Sequence, residues 1–139
     1  MYNLLMQYWI LKTEPATYSW ETFLKEKKTF WNGVRNYQAR NNLSKMKIGD
    51  LGFFYHSGEE RRIMGVAKVT REAHQDNLTD DSRWVMVDVA PVKALKTPVS
   101  LSLIKEVPEL QHIKLVRQSR LSVSELTKEE YELILSLGN

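Results

Sequence analysis

In the middle of this chain apolar and polar positions alternate with the period of strands, and near its end the spacing lengthens to that of a helix. Tyr8–Thr13 is a compact apolar run that stops at Glu14-Pro15, and proline pushes the residue before it towards extended backbone. It reads as a first strand leaving into a turn. Ser19 is an N-cap for a short helix over Trp20–Leu24, with Glu21 in its first turn. Thr29–Trp31 is aromatic and β-prone and is broken by Asn32-Gly33. Gln38–Met46 is polar and rich in helix formers. Leu51–His56 then alternates, with Leu51, Phe53 and Tyr55 pointing one way and Phe54 and His56 the other. After the turn Ser57–Glu60, Arg62–Val69 returns as the second arm of a hairpin. Trp84–Ala90 is another strand, with Val85, Val87 and Val89 on one face.

Ser100 caps a helix expected over Leu101–Val107, which Pro108 interrupts. The last element is the clearest. Thr127 and Glu130 form a capping box, Tyr131, Ile134 and Leu135 make a stripe, and Gly138 sits where a helix stops. Strands in the middle with short helices around them predict a mixed α/β (α+β) domain on a small curved sheet or barrel. Nothing marks a linker or a repeat, so residues 1–139 read as one domain.

Composition narrows the chemistry. Of the 139 residues 42% are hydrophobic and 27% charged, an ordinary globular balance. There is no cysteine, which removes disulfides, cysteine zinc sites and thiol nucleophiles. His56, His74 and His112 lie far apart without metal-ligand spacing, so no metal and no cofactor is expected. Met1–Leu11 has neither a basic leader nor a cleavage site and is too short to span a membrane, so a short lead-in and a cytoplasmic protein are expected. The net charge is only +3, but it is uneven: 12 basic against 7 acidic residues up to Gln75, and 8 against 10 beyond it. A basic first half suits a polyanion, and equally an ordinary lysine-rich surface.

Four clusters carry candidate chemistry. Lys12-Thr13-Glu14-Pro15 brings a cation, a hydroxyl and a carboxylate to a strand end, or is simply a surface turn. Trp31-Asn32-Gly33-Val34-Arg35-Asn36 sets an indole beside a glycine and amides. Buried amides need partners, so this pattern suits a wall where the indole stacks on a flat ring; the alternative is a tryptophan packed in the core. Phe53–Ser57 ends in a histidine that serves as a structural hydrogen-bonder or a general base, with Glu14 or Asp88 as the available carboxylate. Arg117–Val123 sets two arginines among hydroxyls, which suits phosphate or a solvated face. No spacing joins an acid or base to a nucleophile, and no Gly-rich phosphate loop is present, so no catalytic residue is assigned.

These clusters, with Tyr18-Ser19-Trp20, the run Trp31–Asn42, Val87-Asp88-Val89 and Ser119–Val123, resemble in their order the EVE domain family, which includes the thymocyte nuclear protein group. The likeness runs from Tyr8-Trp9 to about Leu137 and implies a PUA-like β-barrel with short peripheral helices, related to the YTH domains that cage methyladenine in RNA. It implies a non-enzymatic module binding DNA or RNA that carries a modified base, such as methylated or hydroxymethylated cytosine. By position, Trp31 would be the stacking wall with Asn32 beside it, and Lys12, Thr13, Tyr55, His56 and Ser57 would complete the pocket. Arg35 and Arg120 would meet backbone phosphate. Two positions depart from the family pattern: Thr13 stands for a usual serine, and Ala73-His74-Gln75-Asp76 replaces a stretch that often reads Tyr-Pro-Asp. A nuclease or base-processing enzyme, and a small-molecule-binding module, are the alternatives. Nothing in the pattern specifies an oligomeric state.

Overall fold

Trp9 and Leu11 on one side of the first strand, and Tyr8 and Ile10 on the other, are all buried. That explains why this strand is a continuous apolar run rather than an alternating one: both of its faces are covered. The computed structural model describes residues 6–139; the first five residues of the expected lead-in lie outside them. Within the described residues six strands form one sheet: β1 (Tyr8–Thr13), β2 (Thr29–Trp31), β3 (Leu51–His56), β4 (Arg62–Gln75), β5 (Val85–Ser100) and β6 (Val123–Leu126). Their order is β2-β5-β4-β3-β1-β6, with β1 parallel to β3 and every other pairing antiparallel. The mixed α/β class expected from the sequence is the one observed. The sheet itself is open: β2 and β6 end the strand order and do not pair with each other.

Among the described residues five short α-helices flank the sheet: α1 (Trp20–Glu26), α2 (Tyr37–Lys45), α3 (Leu101–Ile104), α4 (Lys114–Arg117) and α5 (Lys128–Leu137). Phe23 of α1 and Ala39 and Leu43 of α2 pack on Trp9, Leu11, Phe54, Val87 and Val89. The C-terminal helices cover the opposite face, where Ile104, Leu115, Tyr131 and Ile134 meet Ile10, Phe53, Val66 and Val99. Tyr131 stacks on both Tyr8 and Phe53, at 4.5 and 4.8 Å between ring centres.

The predicted caps are present. The Ser19 and Ser100 hydroxyls accept the N–H groups of Thr22 and Leu103, and Thr127 and Glu130 close both halves of the capping box. Some lengths differ from the sequence pattern. β5 continues to Ser100 rather than stopping at Ala90, through Pro91 and Pro98. Only Val87–Val89 pair with β2, so beyond them β5 has β4 on one side alone, and a proline there forfeits no ladder bond to a second strand. The helix after Ser100 ends at Ile104 instead of Val107, and β6, for which no strand was expected, starts only at the last residue of the basic cluster, Val123.

The β3–β4 hairpin holds α1 at close range. A methyl group on Gly65 would collide with the Trp20 ring and sit 2.7 Å from the Lys93 carbonyl oxygen. A backbone carbonyl cannot swing away as a flexible side chain can. Gly65→Ala is therefore expected to destabilise the fold by about 2 kcal/mol. A urea melt checks this, and a midpoint equal to the parent's would show that Trp20 and β5 give way freely.

Candidate nucleic-acid interface

The sheet's open seam holds a cleft. Its walls come from both ends of the strand order: Thr29, Phe30 and Trp31 of β2 and Asn32–Arg35 on one side, Lys12 and Thr13 of β1 and Ser122 before β6 on the other, with Thr17 and Tyr18 between. The cavity is about 400 Å³, within the range of pockets that enclose small flat ligands. No carboxylate lines it, while Lys12 and Arg35 do. Trp31 is only 7% exposed and meets Phe54 edge-on at 5.6 Å, so it serves the core and the cleft wall together. Phe30, its neighbour on β2, is 49% exposed at the same cleft.

The polar groups around the cleft are mostly tied. The Thr13 hydroxyl donates to the Tyr18 carbonyl at 3.1 Å, joining β1 to the loop before α1. The Asn32 amide donates to the Asn77 side chain at 2.7 Å. Lys12 donates to the Ser119 carbonyl at 2.9 Å and stands 5.8 Å above the Tyr55 ring; burial draws its pKa below the usual lysine range. Burial and the bond to Glu26 push the Tyr18 hydroxyl up to about 12, so it stays protonated as a donor.

Lys12, Thr13, Trp31, Asn32 and Arg35 thus share one cleft, and four expected residues stand apart from it. Tyr55 lies in the apolar cluster on the opposite face of the sheet, as the alternation along β3 dictates. His56 is buried under α1: its Nε2 accepts the Trp20 N–H at 2.9 Å, so Nδ1 carries the proton and donates to Glu60 at 2.8 Å. That bond holds the Glu60 carboxyl below its ordinary range. His56 therefore satisfies a backbone donor at a helix start, a structural task. Ser57 acts through its backbone, its N–H donating to the Thr13 carbonyl at 2.9 Å. Arg120 opens onto a neighbouring hollow with Arg117, Asn36 and Gln38. Of the carboxylates weighed as acids or bases, Asp88 pairs with His74 and Glu14 faces a different hollow beside Gly58.

Comparison with known proteins decides the family: the EVE domain model matches residues 7–137. The chain belongs to the EVE domain family. Chicken thymocyte nuclear protein 1 is 36% identical over 164 residues, covering 94% of this chain and 68% of the relative. A protein of Agrobacterium tumefaciens has a similar solved structure, with a TM-score of 0.93, 43% identity and coverage of 96% and 93% of the two chains. Human THYN1, solved in complex with 5-methylcytosine-containing DNA, superposes with a TM-score of 0.89 at 33% identity, over 96% of this chain and 98% of that one.

In this EVE domain the group that sequence reasoning passed over is Asp76. It stands in the stretch that departs from the family pattern, and it is almost fully buried. Its carboxylate accepts the Gly33 N–H at 2.8 Å, the Leu78 N–H at 2.6 Å and an Arg35 guanidinium N–H at 3.1 Å. Gly33 has φ +79°, a conformation that favours glycine, and its N–H faces the carboxylate from there. Burial alone would raise the Asp76 pKa, but the Arg35 and backbone bonds outweigh it and hold the carboxyl below the usual range. A carboxyl lowered by folding stabilises fully above its unfolded pKa of about 3.9, and that contribution is lost as pH falls through the folded value. Asp76→Asn is accordingly expected to cost about 2–3 kcal/mol near neutrality and to flatten the acid limb of stability below about pH 4. Urea melts across pH check both; an acid limb identical to the parent's would remove Asp76 as its source.

Proposed function

We propose that this EVE domain binds nucleic acid and holds one extruded, modified base in the cleft at the sheet's open seam. The carrying observation is the cleft itself: aromatic surface from Trp31 and Phe30, amide and hydroxyl groups beside it, the Arg35 cation and no carboxylate, with the Lys12 ammonium turned to Ser119 and the Tyr55 ring at its edge. The complex of a relative with 5-methylcytosine-containing DNA supports the same reading. Lys12, Thr13, Trp31 and Asn32 are the residues assigned to the base, with Arg35 towards the phosphates.

Magnitudes favour a modest selector. Drawing a base out of a stack costs a few kcal/mol, and an aromatic face returns about 1–3 kcal/mol. One buried methyl adds about 0.8 kcal/mol, a preference of roughly fourfold for the modified base. Selection on that scale needs no catalytic group.

The choice of variant matters. Trp31→Ala would remove a core side chain at a cost of about 3–5 kcal/mol, mixing unfolding with lost stacking. Phe30→Ala touches the exposed rim instead. It is expected to weaken binding of a 5-methylcytosine oligonucleotide about tenfold at an unchanged melting temperature. Placing the modified base opposite a mismatch should tighten binding, because less pairing must be broken. Fluorescence anisotropy reads both effects; equal affinities in all arms would refute extrusion into this cleft.

A further inference from the structure

Arg35 belongs to two structures at once. It lines the cleft, and its guanidinium also lies 5.6 Å from the ring centre of Trp84. Trp84 stacks on Tyr37, with ring centres 5.2 Å apart and planes 28° from parallel. Arg40 lies over the Tyr37 ring at 5.2 Å, and Arg83 lies 5.8 Å from Trp84. Hydrogen bonds lock the group together. Arg83 donates to the Tyr37 hydroxyl and Arg40 donates to the Arg83 carbonyl, each at 3.0 Å. The result is a ladder of guanidinium and aromatic groups leading away from the cleft, with Tyr37 51% exposed.

A core does not account for this arrangement, since Arg35, Tyr37 and Arg83 all face solvent. Arg35 answers Asp76 and Arg83 answers Asp81, but none of the ion pairs among the described residues includes Arg40. Helix α2, which carries Tyr37 and Arg40, contains no acidic residue. The hollow on the far side of its start, with Arg117 and Arg120, has no carboxylate either. Guanidinium groups stacked on rings give up little side-chain freedom when they meet an anion, and their remaining N–H donors fit phosphate oxygens.

We propose that the Arg35–Trp84–Tyr37–Arg40 ladder, with Arg83 at its edge, is a backbone track that grips the phosphates of the strand beside the base held in the cleft. The proposal rests on the function assigned to that cleft and extends it. Two tasks are divided: the cleft reads the base, and the ladder supplies affinity that does not depend on sequence. Arg40 is its uncompensated charge, so Arg40 carries the largest share of the salt-sensitive binding.

The two tasks give separable readouts in anisotropy titrations between about 50 and 200 mM salt, using a single-stranded oligonucleotide with one 5-methylcytosine and its unmodified twin. Arg40→Gln is expected to weaken both by the same factor, about fivefold, and to make the log–log salt slope shallower by about 0.7. Arg40→Lys should keep the slope, and Phe30→Ala should change affinity while leaving the slope alone. Thermal melts confirm that each variant is folded. An unchanged slope in folded Arg40→Gln would overturn the track, and so would a polyglutamate peptide that competes as well as the oligonucleotide. If the parent binds both oligonucleotides equally while Arg40→Gln still lowers the slope, the base-selecting role falls and the track stands.

Discussion

One buried carboxylate holds the candidate site in shape. Asp76 closes the segment after β4 onto the segment after β2, taking two backbone N–H groups and a guanidinium at once. A charge in so closed a place survives only because three donors surround it. Through Gly33 it sets the course of the chain immediately beyond Trp31 and Asn32, and through Arg35 it sets one cation at the cleft. The same Arg35 begins the ladder over Trp84. The proposed base pocket and the proposed phosphate track therefore share a single anchor.

The second constraint is topological. A strand order that ends in β2 on one side and β6 on the other leaves a seam, and the seam is where side chains from both ends of the sheet converge. A sheet closed by hydrogen bonds at that place would have filled the space. The two-sided burial of β1 makes the rest of the scaffold rigid around it, because helices on both faces leave β1 no freedom to slide. The opening is thus held between a fixed strand end, carrying Lys12 and Thr13, and a short edge strand carrying Phe30 and Trp31.

Local rules were enough for elements whose signals are local. Ser19, Ser100 and the Thr127–Glu130 box cap helices as their sequence context says, and β1 and β3 fall on their predicted residues. The alternation along β3 already separated Tyr55 from His56, and the structure sends Tyr55 into the far core. What stayed illegible depends on pairing across the chain. The strand read as ending at Ala90 runs on through Pro91 and Pro98, which are harmless only because β5 lies there beyond the very short β2. Trp31 could be core or pocket, and it is both, because the cleft opens directly from the apolar layer. Asp76 offered no pattern at all: its three partners come from residues 33, 35 and 78 and meet only in the fold.

The central claim is that a modified base leaves its stack and enters the seam between β2 and β1. An oligonucleotide whose single 5-methylcytosine carries a carbon-13 methyl group, titrated with the protein and followed by nuclear Overhauser contacts, tests it most directly. The account predicts that the methyl protons lose contact with the flanking bases and gain contacts with the Trp31 indole and Thr13. Methyl protons that keep their neighbouring-base contacts in the bound state would contradict it.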